Sequence, residues 1–445
     1  MNGHSVANAS LADRWQAARR DAAGWFSVSQ AVPERPLDLV ARAQALGRPY
    51  VFWQSADRRL SLLGVGELLH LQASGPDRLE AVAEASRTLS APILLGAFAF
   101  ADRGPLAGPF APFAPADFIV PQLLFEERNG QSALRLFGRG GDGGPAEAAP
   151  DLLAAFLATA PLAAAQARLR FADPPGSRDA WRDEVERARE AIRAGNMEKV
   201  VLARTSLALA TRPIDAARVL RSLARREQDC SVFAVHRDGH TFLGATPELL
   251  VRVAGGVAEV ACLAGSAPRG RTPQEDRIIG QELLGSAKNR AEHAFVVQAV
   301  EAALEQRGMH PDVPAAPGLM QLHSVQHLFT PVRALLGPRE TIFTLAGALH
   351  PTPAMGGTPR RRAQAWIRDH EQVSRGLYSG GVGYWRDDGE GELDVSIRCA
   401  LVRGSLATLW AGCGIVEDSD PEEELRETEL KFRPLRQALR EASGP

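Results

Sequence analysis

Residues 384–416 read YWRDDGEGELDVSIRCALVRGSLATLWAGCGIV, a series of apolar runs separated by turn residues. This pattern is typical of a strand meander. Two upstream segments, CSVFAVHRDGHTFLGAT and LLVRVAGGVAEVACLAG, are typical of hairpins that turn at Asp238-Gly239 and Gly255-Gly256. Earlier in the chain, PQLLFEERNGQSALRLF predicts another hairpin, and KVVLARTSLALA predicts a strand. Antiparallel strands with helices grouped between them indicate an α+β fold, in which helices cover large antiparallel sheets.

A helix is predicted directly after the meander, in DSDPEEELRETELK. Asp420 is a favourable N-cap residue and a proline follows it. On this helix Glu424, Glu427 and Lys431 fall at spacings of three and four, so they share one face. Next to the small residues at 412–414, that face could hold a hard cation together with an anionic small molecule. The alternative is a solvated acidic helix.

The composition is that of an ordinary globular protein, with 445 residues, 45% hydrophobic and 23% charged. A net charge of −2 with both signs mixed argues against a nucleic-acid surface. The N-terminal segment lacks the apolar region of a signal peptide, and residues 91–101 are too short an apolar run to span a bilayer. The cysteines show no zinc spacing, which suits reduced thiols in a cytoplasmic protein; they are Cys230, Cys262, Cys399 and Cys413.

The domain organisation is predicted from loops and helical patterns. Residues 138–150 are rich in glycine and proline and predict a surface loop, whereas residues 151–170 predict a helix. Residues 275–306 predict a long helical stretch. We expect an N-terminal α/β part (1–175) and a catalytic part (176–440), intertwined in one globular unit with a possible internal duplication.

Three charged residues stand where chemistry is possible. Lys199 opens an apolar strand, so it either reaches solvent or is a desolvated amine that acts as a general base. Glu248 follows a strand and a turn, where it either caps the next segment or donates a proton. Glu292 on the long helix either pairs with Lys288 or binds a metal together with Glu427.

Two further features indicate a binding site. Arg398 lies in an apolar strand, and an inward-facing arginine needs an anion, from the protein or from a ligand. Residues 349–357, LHPTPAMGG, cannot form a regular helix or a central strand because of their prolines and glycines. Such a constrained loop either shapes a site or is a rigid connector.

Together these segments resemble the chorismate-utilising enzymes, which include isochorismate, salicylate, anthranilate and aminodeoxychorismate synthases. The resemblance covers residues 181–431 and rests on ordered motifs: KVVLAR, FLGATPE, LAGSAPRG, KNRAEH, VQHL, LHPTPAMGG, RGLYSGGVG, SIRCA, AGCGIV and SDPEEELRETELK. The N-terminal part matches only loosely. The resemblance implies the fold of the anthranilate and aminodeoxychorismate synthases.

Within the family, the motifs are most similar to isochorismate synthase of the menaquinone pathway, with siderophore-pathway enzymes next. Branches that deliver ammonia have glutamine where this chain has Lys199, and Ala264 replaces the lysine of aminodeoxychorismate synthases. The loop HPTPA at 350–354 departs from the anthranilate and salicylate types. Cys413 stands where the family has alanine, and we expect it to adjust the carboxylate pocket slightly.

The resemblance implies that water adds to C2 of chorismate while the C4 hydroxyl leaves, with Lys199 as base and Glu248 as acid. It also implies Mg²⁺ as cofactor, held by Glu292, Glu427 and Glu424. The implied substrate-binding groups are Gly265, Ser266, His327, Tyr378, Arg398, Gly412, Gly414 and Lys431. Chorismate is the expected partner; no glutaminase subunit, nucleic acid or membrane is expected. The alternatives are a salicylate synthase, which also releases pyruvate, and a non-catalytic chorismate-binding paralogue.

Overall fold

The structure is a computed structural model of the chain, and it describes residues 10–21, 24–102, 104–140, 148–161, 167–321 and 325–444. Its strands in the first half are β1 (Trp25–Ala31), β2 (Tyr50–Gln54), β3 (Leu60–Val65), β4 (Leu69–Ala73), β5 (Ile93–Phe98), β6 (Ala116–Val120), β7 (Leu123–Arg128), β8 (Gln131–Arg139), β9 (Leu169–Ala172) and β10 (Lys199–Ala210). Those in the second half are β11 (Ser231–Arg237), β12 (His240–Thr246), β13 (Leu249–Ala254), β14 (Val257–Pro268), β15 (Gly318–Gln321), β16 (Val325–Leu335), β17 (Gly357–Thr358), β18 (Gly381–Arg386), β19 (Gly391–Val395), β20 (Cys399–Arg403) and β21 (Leu406–Ile415).

The helices are α1 (Leu11–Asp21), α2 (Pro36–Leu46), α3 (Arg78–Thr88), α4 (Ala149–Ala158), α5 (Ser177–Arg193), α6 (Ala216–Arg226), α7 (Pro273–Gly285), α8 (Ala287–Glu305), α9 (Ile342–Leu349), α10 (Arg360–His370) and α11 (Pro421–Ser443), with a short 3₁₀ turn at Gly108–Phe110. None of the helices in the described ranges is both long and apolar enough to span a bilayer.

The strands form two sheets in which every pair is antiparallel. The larger sheet has 12 strands, in the order β1-β8-β7-β3-β2-β11-β12-β20-β21-β10-β17, with β9 also paired to β10. The smaller sheet has nine strands, in the order β15-β16-β14-β13-β19-β18-β5-β6-β4. This architecture confirms the predicted α+β class with large antiparallel sheets.

The sheets pack face to face, and helices cover their outer faces. In strand β11, residues 232–235 are all apolar rather than alternating, because both faces of the strand are buried. Its Val232 and Ala234 pack in the core beneath α2, α6 and α11, whereas Phe233 and Val235 pack in the core between the sheets. A separate core joins the outer face of the smaller sheet to α3, α8 and α9.

Strands from both sides of residue 175 are neighbours in each sheet. In the larger sheet β2 pairs with β11, and in the smaller sheet β5 pairs with β18. We therefore propose that the N-terminal and catalytic parts form one intertwined unit.

Two of the places where the chain passes between the sheets are adjacent. Pro247 and Glu248 connect β12 in the larger sheet to β13 in the smaller one, and residues 396–398 connect β19 back to β20. Because β12 pairs with β20 and β13 with β19, the crossovers lie side by side. The predicted meander is therefore two hairpins in different sheets. The sequence predicted that Arg398 lies within a strand, and this prediction was wrong. Arg398 lies in the second crossover and has a left-handed backbone conformation, with φ of 50°.

Two sequence predictions need correction in detail. The helix expected over 151–170 ends at Ala158, and residues 169 and 170 already belong to β9; residues 162–166 lie outside the described part. The helical stretch at 275–306 is two helices, because Ser286 interrupts it and caps α8 through a hydrogen bond from Asn289 N to Ser286 Oγ. Most of the loop predicted at 138–150 also lies outside the described residues.

Candidate active site

All the predicted site residues line one cavity of about 410 Å³, at the end of the sandwich where the chain crosses between sheets. They are Lys199, Glu248, Gly265, Ser266, Glu292, His327, Tyr378, Arg398, Gly412, Gly414, Glu424, Glu427 and Lys431. A cavity of this size accommodates a small metabolite. Its walls are β10 and β21 of the larger sheet, β14 and β16 of the smaller sheet, and the helices α8 and α11.

The wall formed by β10 and β21 holds Lys199 against Gly414. A Cβ on Gly414 would lie 2.5 Å from Lys199 Cε, so the lysine chain runs directly over the glycine. Burial lowers the pKa of Lys199, whereas the negative charge of Glu292 opposes that shift. The environment therefore favours the neutral amine, which is the form that acts as a base.

The glycines of β21 present backbone groups to the cavity. Val201 lies opposite Gly414 in the pairing of β10 with β21, but its N–H donates to Gly356 O on the other side of β10. Val201 and Gly414 are therefore a non-hydrogen-bonded pair of the antiparallel ladder. The backbone groups of Gly414, and by the same alternation of Gly412, point away from β10. Lys431 Nζ uses this free side, donating to Gly412 O at 2.7 Å.

Glu248 and Arg398 meet because they occupy the adjacent crossovers. Their segments are tied by bonds from Val395 N to Glu248 O at 2.8 Å and from Ala245 N to Arg398 O at 3.2 Å. Burial raises the pKa of Glu248 to about 7, although the positive charges of Arg398, Lys431 and Lys199 oppose that rise. A carboxyl group with this pKa can donate a proton near neutral pH.

The opposite wall contains a bulge in β14. The pairing register with β16 shifts between Ala264 and Ser266, and Gly265 takes the left-handed conformation with φ of 73°. Ser266 Oγ lies 2.7 Å from His327 Nδ1. Burial lowers the pKa of His327 to about 4, so the imidazole is neutral near pH 7 and can form a hydrogen bond with the Ser266 hydroxyl.

The helices α8 and α11 supply carboxylates. Glu292 lies on α8, and Glu424 and Glu427 lie on one face of α11, which begins at Asp420 as predicted: Asp420 Oδ1 accepts from the backbone N atoms of the next turn. Glu427 pairs with Lys431 at 2.6 Å. Burial raises the pKa of Glu424, and the negative charge of Glu427 adds to that rise.

The carboxylates of Glu292, Glu424 and Glu427 are suitable ligands for a hard divalent cation. Carboxylate oxygens are the ligands that Mg²⁺ prefers, and it needs only one or two of them besides an anionic ligand and water. A cation would also relieve the repulsion between Glu424 and Glu427, which adds to the effect of burial on the pKa of Glu424. In the described part of the chain, no three His, Cys, Asp or Glu side chains are already gathered as a metal centre.

Comparison with known proteins identifies the family of the chain. Residues 11–440 match the family model described as chorismate binding enzyme. The chain belongs to the chorismate-binding enzymes. It is 36% identical to the salicylate biosynthesis isochorismate synthase of Pseudomonas aeruginosa, over 93% of this chain and 89% of that protein. It is 35% identical to the isochorismate synthase MenF of Bacillus subtilis, over 87% of each chain.

Solved structures of the family share the fold. The menaquinone-specific isochorismate synthase MenF of Escherichia coli superposes with a TM-score of 0.80 at 26% identity, covering 94% of this chain and 95% of that one. Anthranilate synthase component I of Streptococcus pneumoniae superposes with a TM-score of 0.68 at 20% identity, covering 85% of this chain and 92% of that one, which shows the fold alone.

Several cavity residues of this chorismate-binding enzyme were missed in the sequence analysis. Asn289 lines the cavity one turn before Glu292, and its Oδ1 lies 3.1 Å from where a Cβ on Gly265 would be. Met355 and Ser379 line it from two loops. The spacing of three between Asn289 and Glu292 on one helix is a signal that could have revealed the first of these.

Lysine usage is a second signal that was missed. Only three of the 51 basic residues are lysines, namely Lys199, Lys288 and Lys431, and all three line the cavity. Arginine is therefore the basic residue everywhere else in the chain. An ammonium group can lose its proton in a buried site whereas a guanidinium cannot, which is a physical reason to keep lysine at a base position.

Cys413, the departure from the family pattern, faces away from the cavity glycines. Its side chain packs in an apolar cluster with Leu202, Ile415 and Leu425. Its Sγ lies 3.8 Å from Glu424 O, in the first turn of α11. Cys413 is also among the residues that line the cavity, so it can influence the site directly as well as through the position of that turn.

Proposed function

We propose that the protein is an isochorismate synthase, an isomerase that converts chorismate to isochorismate with Mg²⁺. The observation that carries the proposal is a lysine with a lowered pKa and a glutamic acid with a pKa of about 7 in one cavity. Addition of water with loss of a hydroxyl needs a base and an acid at the same ring, and these two groups supply them. The names of the relatives, isochorismate synthases from three organisms, support the same reaction.

Lys199 takes a proton from the water that attacks C2, and Glu248 gives its proton to the C4 hydroxyl as that group leaves. The product is an isomer of chorismate in which the hydroxyl and the ring double bonds have moved, so the reaction needs no external oxidant or reductant. Burial assists both residues in the required direction, since it favours the neutral amine and the neutral carboxylic acid alike.

The carboxylates of chorismate are bound by the cations and by the free backbone of β21. Arg398 and Lys431 supply positive charge, and Gly412 and Gly414 supply backbone N–H groups that point away from β10. Gly265, Ser266, His327 and Tyr378 line the remaining cavity surface.

Glu292, Glu427 and Glu424 would hold Mg²⁺, and the cation would supply positive charge that neutralises the ring carboxylate. The fold of the menaquinone-specific enzyme supports a product destined for menaquinone; siderophore synthesis is the alternative. The four cysteines are all buried and unpaired, which supports a reducing, cytoplasmic compartment.

Product analysis tests the reaction. Purified protein incubated with chorismate and Mg²⁺ is expected to yield isochorismate by liquid chromatography, with no pyruvate in a coupled lactate dehydrogenase assay. Salicylate with pyruvate would assign the protein to the lyase branch instead. Chorismate that binds but is never converted would indicate a binding paralogue.

Glu292→Ala tests the metal. We expect it to weaken Mg²⁺ binding, measured by isothermal titration calorimetry with chorismate present, and to abolish turnover, because α8 then contributes no carboxylate to the cavity. Glu305→Ala is the matched control: it changes an exposed glutamate at the other end of α8. Wild-type Mg²⁺ affinity and turnover in Glu292→Ala would remove this residue from the metal site.

A further inference from the structure

One edge of β10 lacks a neighbouring strand behind the cavity. On the side away from β21, β17 pairs only with Lys199 and Val200, and β9 joins only from Leu207 onward. Within the described residues, no strand pairs with residues 201–206 on this side of β10. This gap begins two residues after Lys199, so the backbone that carries the lysine depends on whatever fills it.

A buried ion pair fills the gap. Arg375 Nη2 donates to Val201 O at 2.6 Å, and Glu371 Oε2 accepts from Ala203 N at 3.0 Å. Arg375 also binds both oxygens of Glu371, each at 2.6 Å. The two side chains are only 4% and 3% exposed. They therefore occupy the positions that the N–H and C=O groups of a further strand would take.

The same arginine reaches two loops that line the cavity. Its Nη1 donates to Met355 O at 3.1 Å and lies 3.4 Å from Ser379 Oγ. Its guanidinium lies 4.1 Å from the centre of the Phe100 ring, which completes its enclosure. Met355 and Ser379 both line the cavity, as does Val201. One guanidinium thus connects the strand of the base to two cavity loops.

A second buried carboxyl group lies beside this pair without joining it. Glu184 on α5 is 5% exposed, and among the described residues its Oε1 has no hydrogen-bond partner. Burial and the negative charge of Glu371 raise the pKa of Glu184 to about 7. Glu371, rather than Glu184, is therefore the anion that balances Arg375.

We propose that the Arg375–Glu371 pair is a positioning device, which fixes Lys199 and the two cavity loops relative to one another for the reaction. The inference rests on the proposed function, since it assigns a role toward the catalytic base. Neither side chain lines the cavity, so both act through the backbone of β10 and the loops.

Glu371→Gln tests the proposal against a matched control. The variant keeps the shape of the side chain but removes its charge, so β10 loses a fixed anchor. We expect kcat to fall about 10²-fold, because small displacements of a catalytic group have effects of this size, while KM stays near the wild-type value. Glu429→Gln is the control: Glu429 pairs with Arg204 on the same strand, at 3.0 Å, but lines no part of the cavity.

Amide hydrogen exchange supplies a readout that does not depend on turnover. We expect the amide of Ala203 to exchange faster in Glu371→Gln than in the wild type, and no such change in Glu429→Gln. If Glu371→Gln does not fold, Arg375→Lys serves in its place, since lysine keeps the charge but cannot reach all the partners at once.

Two outcomes would overturn the proposal: wild-type kcat and Ala203 exchange in the variant, or an equal loss of kcat in the control. A wild-type protein that does not convert chorismate would instead contradict the proposed function, and the exchange comparison would still decide whether the pair positions β10.

Discussion

Lys199→Ala is expected to lower kcat for chorismate by about 10²–10⁴-fold, the range that a general base contributes. Binding of chorismate should persist, because the carboxylate-binding groups lie elsewhere in the cavity, on β21, α11 and the crossover at Arg398. The measurements are single-turnover kinetics followed by chromatography, and a dissociation constant from calorimetry. Normal turnover by this variant would remove Lys199 from the mechanism.

Lys199→Arg tests whether the reaction needs a proton acceptor at position 199 or only a positive charge. Arginine retains a positive charge of similar reach, but in a protein it does not lose its proton. If Lys199 acts as a base, this variant should be as inactive as the alanine variant. Substantial activity in Lys199→Arg would show that the cavity needs a cation at this place rather than a proton acceptor.

Glu248→Gln is expected to lower kcat by a comparable factor of about 10²–10⁴, because glutamine keeps the shape but has no proton to give. The pH profile of the wild type gives an independent measurement. Glu248 holds its proton below its pKa of about 7, so kcat should fall about tenfold per pH unit above that value. A profile that stays flat well above pH 7 would contradict the assignment of Glu248 as the acid.

The same pKa has a consequence for stability. The pKa of Glu248 rises from 4.5 to about 7 on folding, so the folded state binds the proton more tightly than the unfolded state. The contribution of this group to stability is therefore fully present below pH 4.5 and is lost as the pH rises through 7. Glu248→Gln should raise Tm at pH 8 relative to the wild type and do so less at pH 5. Glu259→Gln, on the outer part of β14 beside Arg333, is the control.

Local patterns were sufficient to predict much of the site. The spacing of Glu424, Glu427 and Lys431 predicted a shared helix face, and that face lines the cavity. The turn signals at Asp238-Gly239 and Gly255-Gly256 predicted the correct hairpins. These features depend on residues close together in the chain, where periodicity and turn chemistry are decisive.

Other features depend on tertiary structure and leave no local trace. The strands on either side of Arg398 have the same pattern whether they share a sheet or not, so the crossover and its left-handed residue could not be foreseen. The Arg375–Glu371 pair reaches β10 across about 170 residues of sequence, and nothing near Val201 indicates that a strand is missing there.

The confinement of all three lysines to the cavity also determines how the protein responds to amine-directed reagents. Dyes, cross-linkers and activated resins attack primary amines, which on most proteins are spread over the surface. Here no lysine lies outside the cavity lining. Coupling chemistry that is random on other enzymes is therefore site-directed on this one, and immobilisation is better achieved through a tag or another functional group.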